Sequence, residues 1–374
     1  MFQHASSGHH HVGIQPVKFG LMTQVQMPRP WGANAEVEAY RNAIAQAVAA
    51  EAAGFAYFWT TEQHFFYEIG HSPCPDILLA AVSERTSHIR LGFAVMLMTV
   101  HNPFVVAEKV ATLDVLSNGR VDFGMGRGST NYMVDAFGVD ALSSRDQANE
   151  ATEAVLRMFC EEQFAGYQGR YFSLPERYVV PKPVQQPHPP LWIAASNLET
   201  YEHAARAGVG VIGVTRNSVS ETRSAIARYR ELIRGDSSGF IGAYPNEHVG
   251  VFALACVHED DRVGRDVACA AARWYNGDND ALLNKVRFGT AGGLEQVVAK
   301  FRSRTNDELL EDGMAIGGSP DTVCRIVEKW CNAGVDQMIF VLQAGRTTHD
   351  QVMHSIELIG ETVIPRFKES PEAA

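Results

Sequence analysis

The sequence predicts an α/β protein, a (β/α)8 TIM barrel, and three observations carry that expectation. Eight short runs rich in β-branched and aromatic residues recur along the chain, and helical periodicity follows them. Those runs are apolar at successive positions, as parallel strands covered by helices on both faces require. The alternative, an open doubly wound sheet, would carry a glycine-rich phosphate loop after its first strand, and FGLMTQVQMPRPW has none.

The predicted strands are VKFGLMT (17–23), FAYFWT (55–60), RLGFAVML (90–97) and RVDFGMG (120–126). LWIAA (191–195), GVGVIGV (208–214), VGVFALACV (249–257) and VDQMIFVL (335–342) complete the set. Between the first two, VEAYRNAIAQAVAAEAAG repeats apolar residues three and four apart and stops at Gly54. PDILLAAVSERTS, PFVVAEKVATLDVLSNG and DTVCRIVEKWCNAG follow the same pattern.

Two segments break the alternation. Residues 162–190, rich in Pro, Gly and aromatics, read as a hairpin inserted before strand five. Residues 276–318 carry charge and scattered Gly and are expected to form a long mobile insertion, a lid, before the last β/α unit. Neither a repeat nor a linker divides the chain. Residues 17–368 are therefore expected as one barrel domain behind a flexible tail, residues 1–16.

Composition narrows the function. A net charge of −11 over 374 residues, with no Lys/Arg cluster, argues against nucleic acid or an anionic membrane as partner. No apolar run approaches the ~20 residues that span a bilayer. The N-terminal MFQHASSGHHHVGIQP lacks the apolar core of a secretory signal, and His9, His10 and His11 in it read as tail, not as a metal site. Six cysteines without a C-x-x-C pair fit a reducing cytoplasm, with Cys324 and Cys331 as small buried hydrophobes.

In a barrel, chemistry gathers at the C-terminal ends of the strands. That rule explains WTTEQHFFYEIG, where Glu62, Gln63 and His64 emerge among aromatics at the top of strand two. It also places Gly126, Arg127, Gly128 and Ser129 above strand four, in GMGRGSTNY, and Ser196 above strand five. The alternating glycines let backbone approach a ligand, and Arg127 offers a guanidinium fork to an anion. Arg145 opens the next helix, and Ser196 precedes a helix whose first turn holds Glu199 and Thr200. Two arginines and free N–H groups at a helix start predict a phosphate site. No metal is expected at EQH, where neither H-x-H nor H-E-x-x-H occurs, and the chain carries no Walker loop.

These residues resemble the bacterial luciferase-like flavin monooxygenases from about Val17 to Phe367. WTTEQHF stands for the family's W-x-x-E-H-H-F, and RLGFAVMLMTVHNP for its third strand and loop. LDVLSNGRVDFGMGRG, then FG-x-D and Arg145, is the most specific piece, and GSPDTV, AGVDQMIF and SIELIGETVIPRF close the chain in the same manner. The resemblance implies a flavin phosphate held by Arg127 and Arg145 with Ser196 and Thr200, and a non-proline cis peptide at Ala94–Val95 beneath the flavin ring. It implies a two-component enzyme whose FMN arrives reduced from a separate reductase. Dioxygen, activated as a flavin peroxide, would then oxygenate a small apolar organic substrate. A homodimer or other homo-oligomer is implied as well.

One position departs from the family. Gln63 stands where the luciferases carry their catalytic histidine, and His64 matches the second histidine. An amide donates and accepts hydrogen bonds but is no acid or base near neutral pH. Glu62, Gln63 and His64 remain the expected catalytic set, positioning the adduct. A deazaflavin-dependent oxidoreductase and a non-enzymatic flavin-binding homologue are the alternatives.

Overall fold

Eight parallel strands close on themselves in chain order. They are β1 (Lys18–Thr23), β2 (Tyr57–Thr60), β3 (Arg90–Phe93), β4 (Val121–Gly126), β5 (Leu191–Ala195), β6 (Gly210–Val214), β7 (Val249–Val257) and β8 (Gln337–Val341). Closure comes from β8 on β1, with Lys18 opposite Gln337 and Leu21 opposite Phe340. The structure, a computed structural model, describes residues 16–128, 130–278 and 294–368. The tail expected over 1–16, apart from Pro16, lies outside the described residues.

Side-chain volume inside the barrel is shared unevenly between neighbouring strands. Trp59 on β2 is fully buried and packs edge-on against Trp192 of β5, with ring centroids 5.3 Å apart. Its indole fits because Gly92, its partner on β3, and Gly20, two residues below its partner on β1, leave room for it. A Cβ on Gly92 would lie 1.9 Å from Trp59 Cε3, and one on Gly20 would lie 3.2 Å from its Cδ1. At the floor, Asp122 accepts hydrogen bonds from Trp192 Nε1 (2.8 Å) and Arg90 Nε (2.5 Å), which satisfies a buried carboxyl.

The outer layer begins with α1 (Ala35–Ala52), α2 (Pro75–Ser83), α3 (Pro103–Leu116) and α4 (Ser144–Cys160). Gly54, at φ +89°, ends the turn after α1, as its place in the sequence predicts. Residues 162–190 do form a hairpin excursion, Tyr167–Gln168 against Ser173–Leu174. Glu150 of α4 tethers it by accepting the N–H groups of Arg170 (3.0 Å), Tyr171 (3.0 Å) and Phe172 (2.7 Å).

After β5 come α5 (Leu198–Ala207), α6 (Val219–Ile233) and α7 (Asp261–Arg273). Where described, the insertion expected over 276–318 is more regular than its sequence pattern suggests. It holds α8 (Leu294–Ser303), α9 (Asn306–Glu311) and a short strand, Ile316–Gly318, parallel to the end of β7. A capping box starts α9: Glu308 N–H donates to Thr305 Oγ1 (3.2 Å), and Thr305 N–H donates to Glu308 Oε2 (2.7 Å). Residues 279–293 of the expected lid lie outside the described residues. The last two α-helices among the described residues are α10 (Pro320–Cys331) and α11 (His349–Leu358).

The third strand, expected unbroken over 90–97, is interrupted. The Ala94–Val95 peptide is cis, and strand pairing resumes at Met96–Leu97 beside the end of β4. Gly124 and Gly126 of β4 make room for this feature. A Cβ at Gly124 would meet Phe93 O at 2.0 Å, and one at Gly126 would meet Val95 Cγ2 at 2.3 Å. These two glycines therefore serve the packing of one strand on another, beyond the ligand approach expected of them.

Candidate active site

The C-terminal strand ends open into a cavity of ≈ 1360 Å³. Its wall includes Glu62 and Gln63 from the top of β2, Ala94 and Val95 from β3, and Gly126, Arg127 and Gly128 from β4. Arg145 at the start of α4, and Ser196 and Thr200 around the start of α5, complete the expected set. Ser129 lies outside the described residues.

His64 is the exception among the expected residues. It is not among the described residues that line the cavity. Its Nε2 lies 2.9 Å from Glu62 Oε1, and its ring packs edge-on against Phe137 at 4.9 Å. Gln63 does line the cavity, with its stem seated on Gly70, where a Cβ would lie 2.6 Å from Gln63 Cβ.

Glu62 is the hub of a small buried network. Its Oε1 accepts from His64 and from His101 Nε2 (2.7 Å), and its Oε2 accepts from the Leu97 N–H at 2.8 Å. Burial pushes the carboxyl toward protonation, but the hydrogen bonds from His101, His64 and Leu97 outweigh it and hold the group below the usual glutamate range. Sequence reasoning missed His101. It stands in the loop above the third strand, so the strand-top rule that singled out Glu62 applies to it equally.

Above β4 and around the starts of α4 and α5 the groups are cationic. Arg127 Nη1 donates to Ser144 Oγ at 3.0 Å, and Arg145 Nη1 lies 3.4 Å from the exposed Glu199. Ser196 precedes α5 as expected, and Asn197 caps it, accepting from Thr200 N–H (3.0 Å) and Thr200 Oγ1 (2.9 Å). His203, one turn into α5, also lines the wall. Burial and the charges of Arg145 and Arg206 lower its pKa. Two guanidinium groups, a capped helix start and an imidazole disfavoured as a cation thus lie along one stretch of the cavity lining.

Other lining residues escaped sequence reasoning because they come singly from separate strand tops. Gln24 above β1 donates to Tyr275 Oη (3.2 Å), and Arg216 above β6 donates through Nε to Asn276 Oδ1 (3.1 Å). No short motif links such residues.

The model of the luciferase-like monooxygenase family matches residues 17–337. The chain belongs to the luciferase-like monooxygenases. Among curated relatives, the oxygenase component of the flavin-dependent trigonelline monooxygenase of Acinetobacter baylyi is 28% identical, over 52% of this chain and 53% of its own. Limonene 1,2-monooxygenase of Rhodococcus erythropolis is 25% identical over 84% of this chain and 78% of its own. An F420-dependent glucose-6-phosphate dehydrogenase of Amycolatopsis mediterranei is 26% identical over 90% and 97%.

Among solved structures, the monooxygenase RslO1 of Streptomyces bottropensis superposes on this luciferase-like monooxygenase with a TM-score of 0.77 at 25% identity, covering 94% of this chain and 100% of its own. The oxygenating constituent of a diketocamphane monooxygenase from Pseudomonas putida, in complex with FMN, shares the same barrel at 16% identity and a TM-score of 0.76, over 94% of this chain and 99% of its own. This luciferase-like monooxygenase is thus an enzyme on the family's barrel. Among its described residues, no helix is long and apolar enough to cross a membrane.

Proposed function

We propose that the chain is the oxygenase component of a two-component monooxygenase that uses reduced FMN. The observation that carries this is that Arg127, Arg145 and the Asn197-capped start of α5 line one cavity together with Ala94–Val95 and Gln63. A phosphate dianion suits the first three, because two guanidinium groups and helix N–H groups can receive it. The backbone at Ala94–Val95 gives a planar ring a surface to lie on. When bound, reduced FMN supplies the electrons that activate dioxygen.

The chain's own residues then bind, orient and shield. Arg127 and Arg145 hold the phosphate, with Ser196 and Thr200 beside them. Gln63, the polar group turned into the cavity, donates and accepts hydrogen bonds near the ring. Glu62, in the wall, and His64, outside it, fix the loop that presents Gln63 through their mutual hydrogen bond and those of Glu62 with His101 and Leu97. Leu97, Met98, Ile193 and Phe252 line the cavity with apolar surface and keep water from the reacting centre. The sequence carries no nicotinamide fingerprint, so a separate reductase delivers the reduced flavin.

The deazaflavin relative, matched along nearly its whole length, motivates the second reading: hydride transfer without oxygen. Anaerobic titration with reduced FMN and with reduced deazaflavin, followed by mixing with oxygenated buffer, separates the two. Tight binding of FMN and faster oxygen uptake than by free flavin are expected. Tight deazaflavin binding without oxygen uptake would establish the second reading.

A further inference from the structure

Arg216 is a cation that no described residue neutralises. It follows β6 by two residues and lines the cavity, half-buried. Its Nε donates to Asn276 Oδ1 at 3.1 Å, and Asn276 is itself buried and anchored by Nδ2 to Ala272 O at 2.9 Å. That chain of bonds fixes the plane of the guanidinium and leaves both Nη groups without a protein partner among the described residues. Elsewhere, arginines withdrawn from water are matched: Arg90 by Asp122, Arg230 by Asp336, and Arg120 by the carbonyls of Ser83, Thr86 and Ile89. Among the described residues this half-buried guanidinium has no carboxylate partner, and it shares the cavity lining with the apolar Phe252, Val214 and Ile212.

We infer that Arg216 is the carboxylate-binding subsite for the organic substrate, which is a small carboxylic acid with an apolar body. This rests on the proposed function and names its substrate class. The two oxygens of a carboxylate match the two unpartnered Nη groups in one plane. Phosphate is disfavoured here. Unlike the Arg127 wall, this wall has a single arginine, and the nearby start of α6 is already occupied by its own carboxylate. Glu221 Oε2 accepts the Ser218 N–H at 2.7 Å and closes a capping box there. The Thr215 hydroxyl is likewise committed, to Met314 O at 3.3 Å. With the carboxylate on Arg216, the apolar body lies against Phe252, Val214 and Ile212, and Gln24 and Tyr275 supply polar contacts along its edge.

The test is calorimetric titration of the wild type, Arg216→Gln and Arg216→Lys, each with and without FMN, using benzoate, octanoate and their uncharged amides. Thermal unfolding checks that each variant is folded. Acids should bind the wild type about tenfold more tightly than the amides, or better. Arg216→Gln should abolish that preference and Arg216→Lys should keep part of it, while FMN affinity stays within about twofold. Equal binding of acids and amides, no binding of either acid, or a preference that survives in Arg216→Gln would overturn the inference. So would a loss of FMN affinity in Arg216→Gln, which would assign the guanidinium to the cofactor. If the wild type fails to bind FMN, the proposed function falls, and the acid preference of the unloaded protein still decides the subsite.

Discussion

His101 Nε2 lies 2.7 Å from Glu62 Oε1, closer than the neighbouring His64 at 2.9 Å. A residue 39 positions away thus holds the carboxylate as firmly as the one two positions away. The loops above β2 and β3 are joined through one buried charge.

Glu62→Gln should destabilise the fold by about 1–3 kcal/mol at pH 7, because charge-assisted hydrogen bonds become ordinary ones. The sign with pH follows from the lowered pKa. A carboxyl held below its ordinary value of 4.5 adds stability above that value and loses it as pH falls through the folded value. Chemical denaturation of both proteins should show the gap closing below about pH 4.5. A gap that stays constant into acid would contradict the network.

For the phosphate wall, Arg127→Ala should weaken FMN binding by about 2–3 kcal/mol, as for a charge-assisted hydrogen bond. Riboflavin, which lacks the phosphate, should be nearly unaffected. Fluorescence titration of both ligands decides, and equal losses would mean that the phosphate lies elsewhere.

His203 reports on the same wall. Its lowered pKa partly reflects Arg145 and Arg206, so a bound dianion should offset those charges and raise it. The folded protein resists this protonation, so it also loses stability as pH falls below 6.5. A ring-proton titration by NMR should therefore move toward higher pH on adding FMN and stay in place on adding riboflavin.

Gln63 faces the cavity and His64 does not, so their truncations should differ in kind. Gln63→Ala should release more hydrogen peroxide per product formed. Gly70→Ala should do the same, since its methyl would displace the Gln63 stem. His64→Ala should lower stability and slow turnover less than tenfold. A fall of about 10²–10⁴-fold for His64→Ala, with Gln63→Ala near normal, would return the acid–base role to His64.

Gly126→Ala places a methyl 2.3 Å from Val95 Cγ2 and should cost about 1–3 kcal/mol of stability through overpacking. Val95→Ala should restore part of it in the double variant. Additive losses in urea melts would show that the two positions do not touch.

The strands and the cationic stretch of the cavity were legible because both rest on local signals. Apolar runs bounded by turns mark β1 to β8, and Arg127, Arg145 and Thr200 each sit just past a strand or at a helix start. His101, Arg216, Gln24 and Tyr275 were not, since each is a lone polar residue whose partner comes from a distant segment. The glycines of GMGRG were noticed for the ligand they could admit. Two of them answer to Phe93 and Val95, a relation visible only once β3 lies beside β4. The α9 helix was passed over because its six residues are too few to show a period, although Thr305 and Glu308 spell its cap.

Trp59 and Trp192, buried edge to face inside the barrel, give the protein an optical probe of its own. Trp192 adjoins Ile193 of the cavity wall, and flavins absorb where buried indoles emit. A flavin settling above them should quench that emission by energy transfer, so occupancy can be followed on unlabelled protein. Replacing either indole with phenylalanine would show how much of the signal it carries among the chain's five tryptophans.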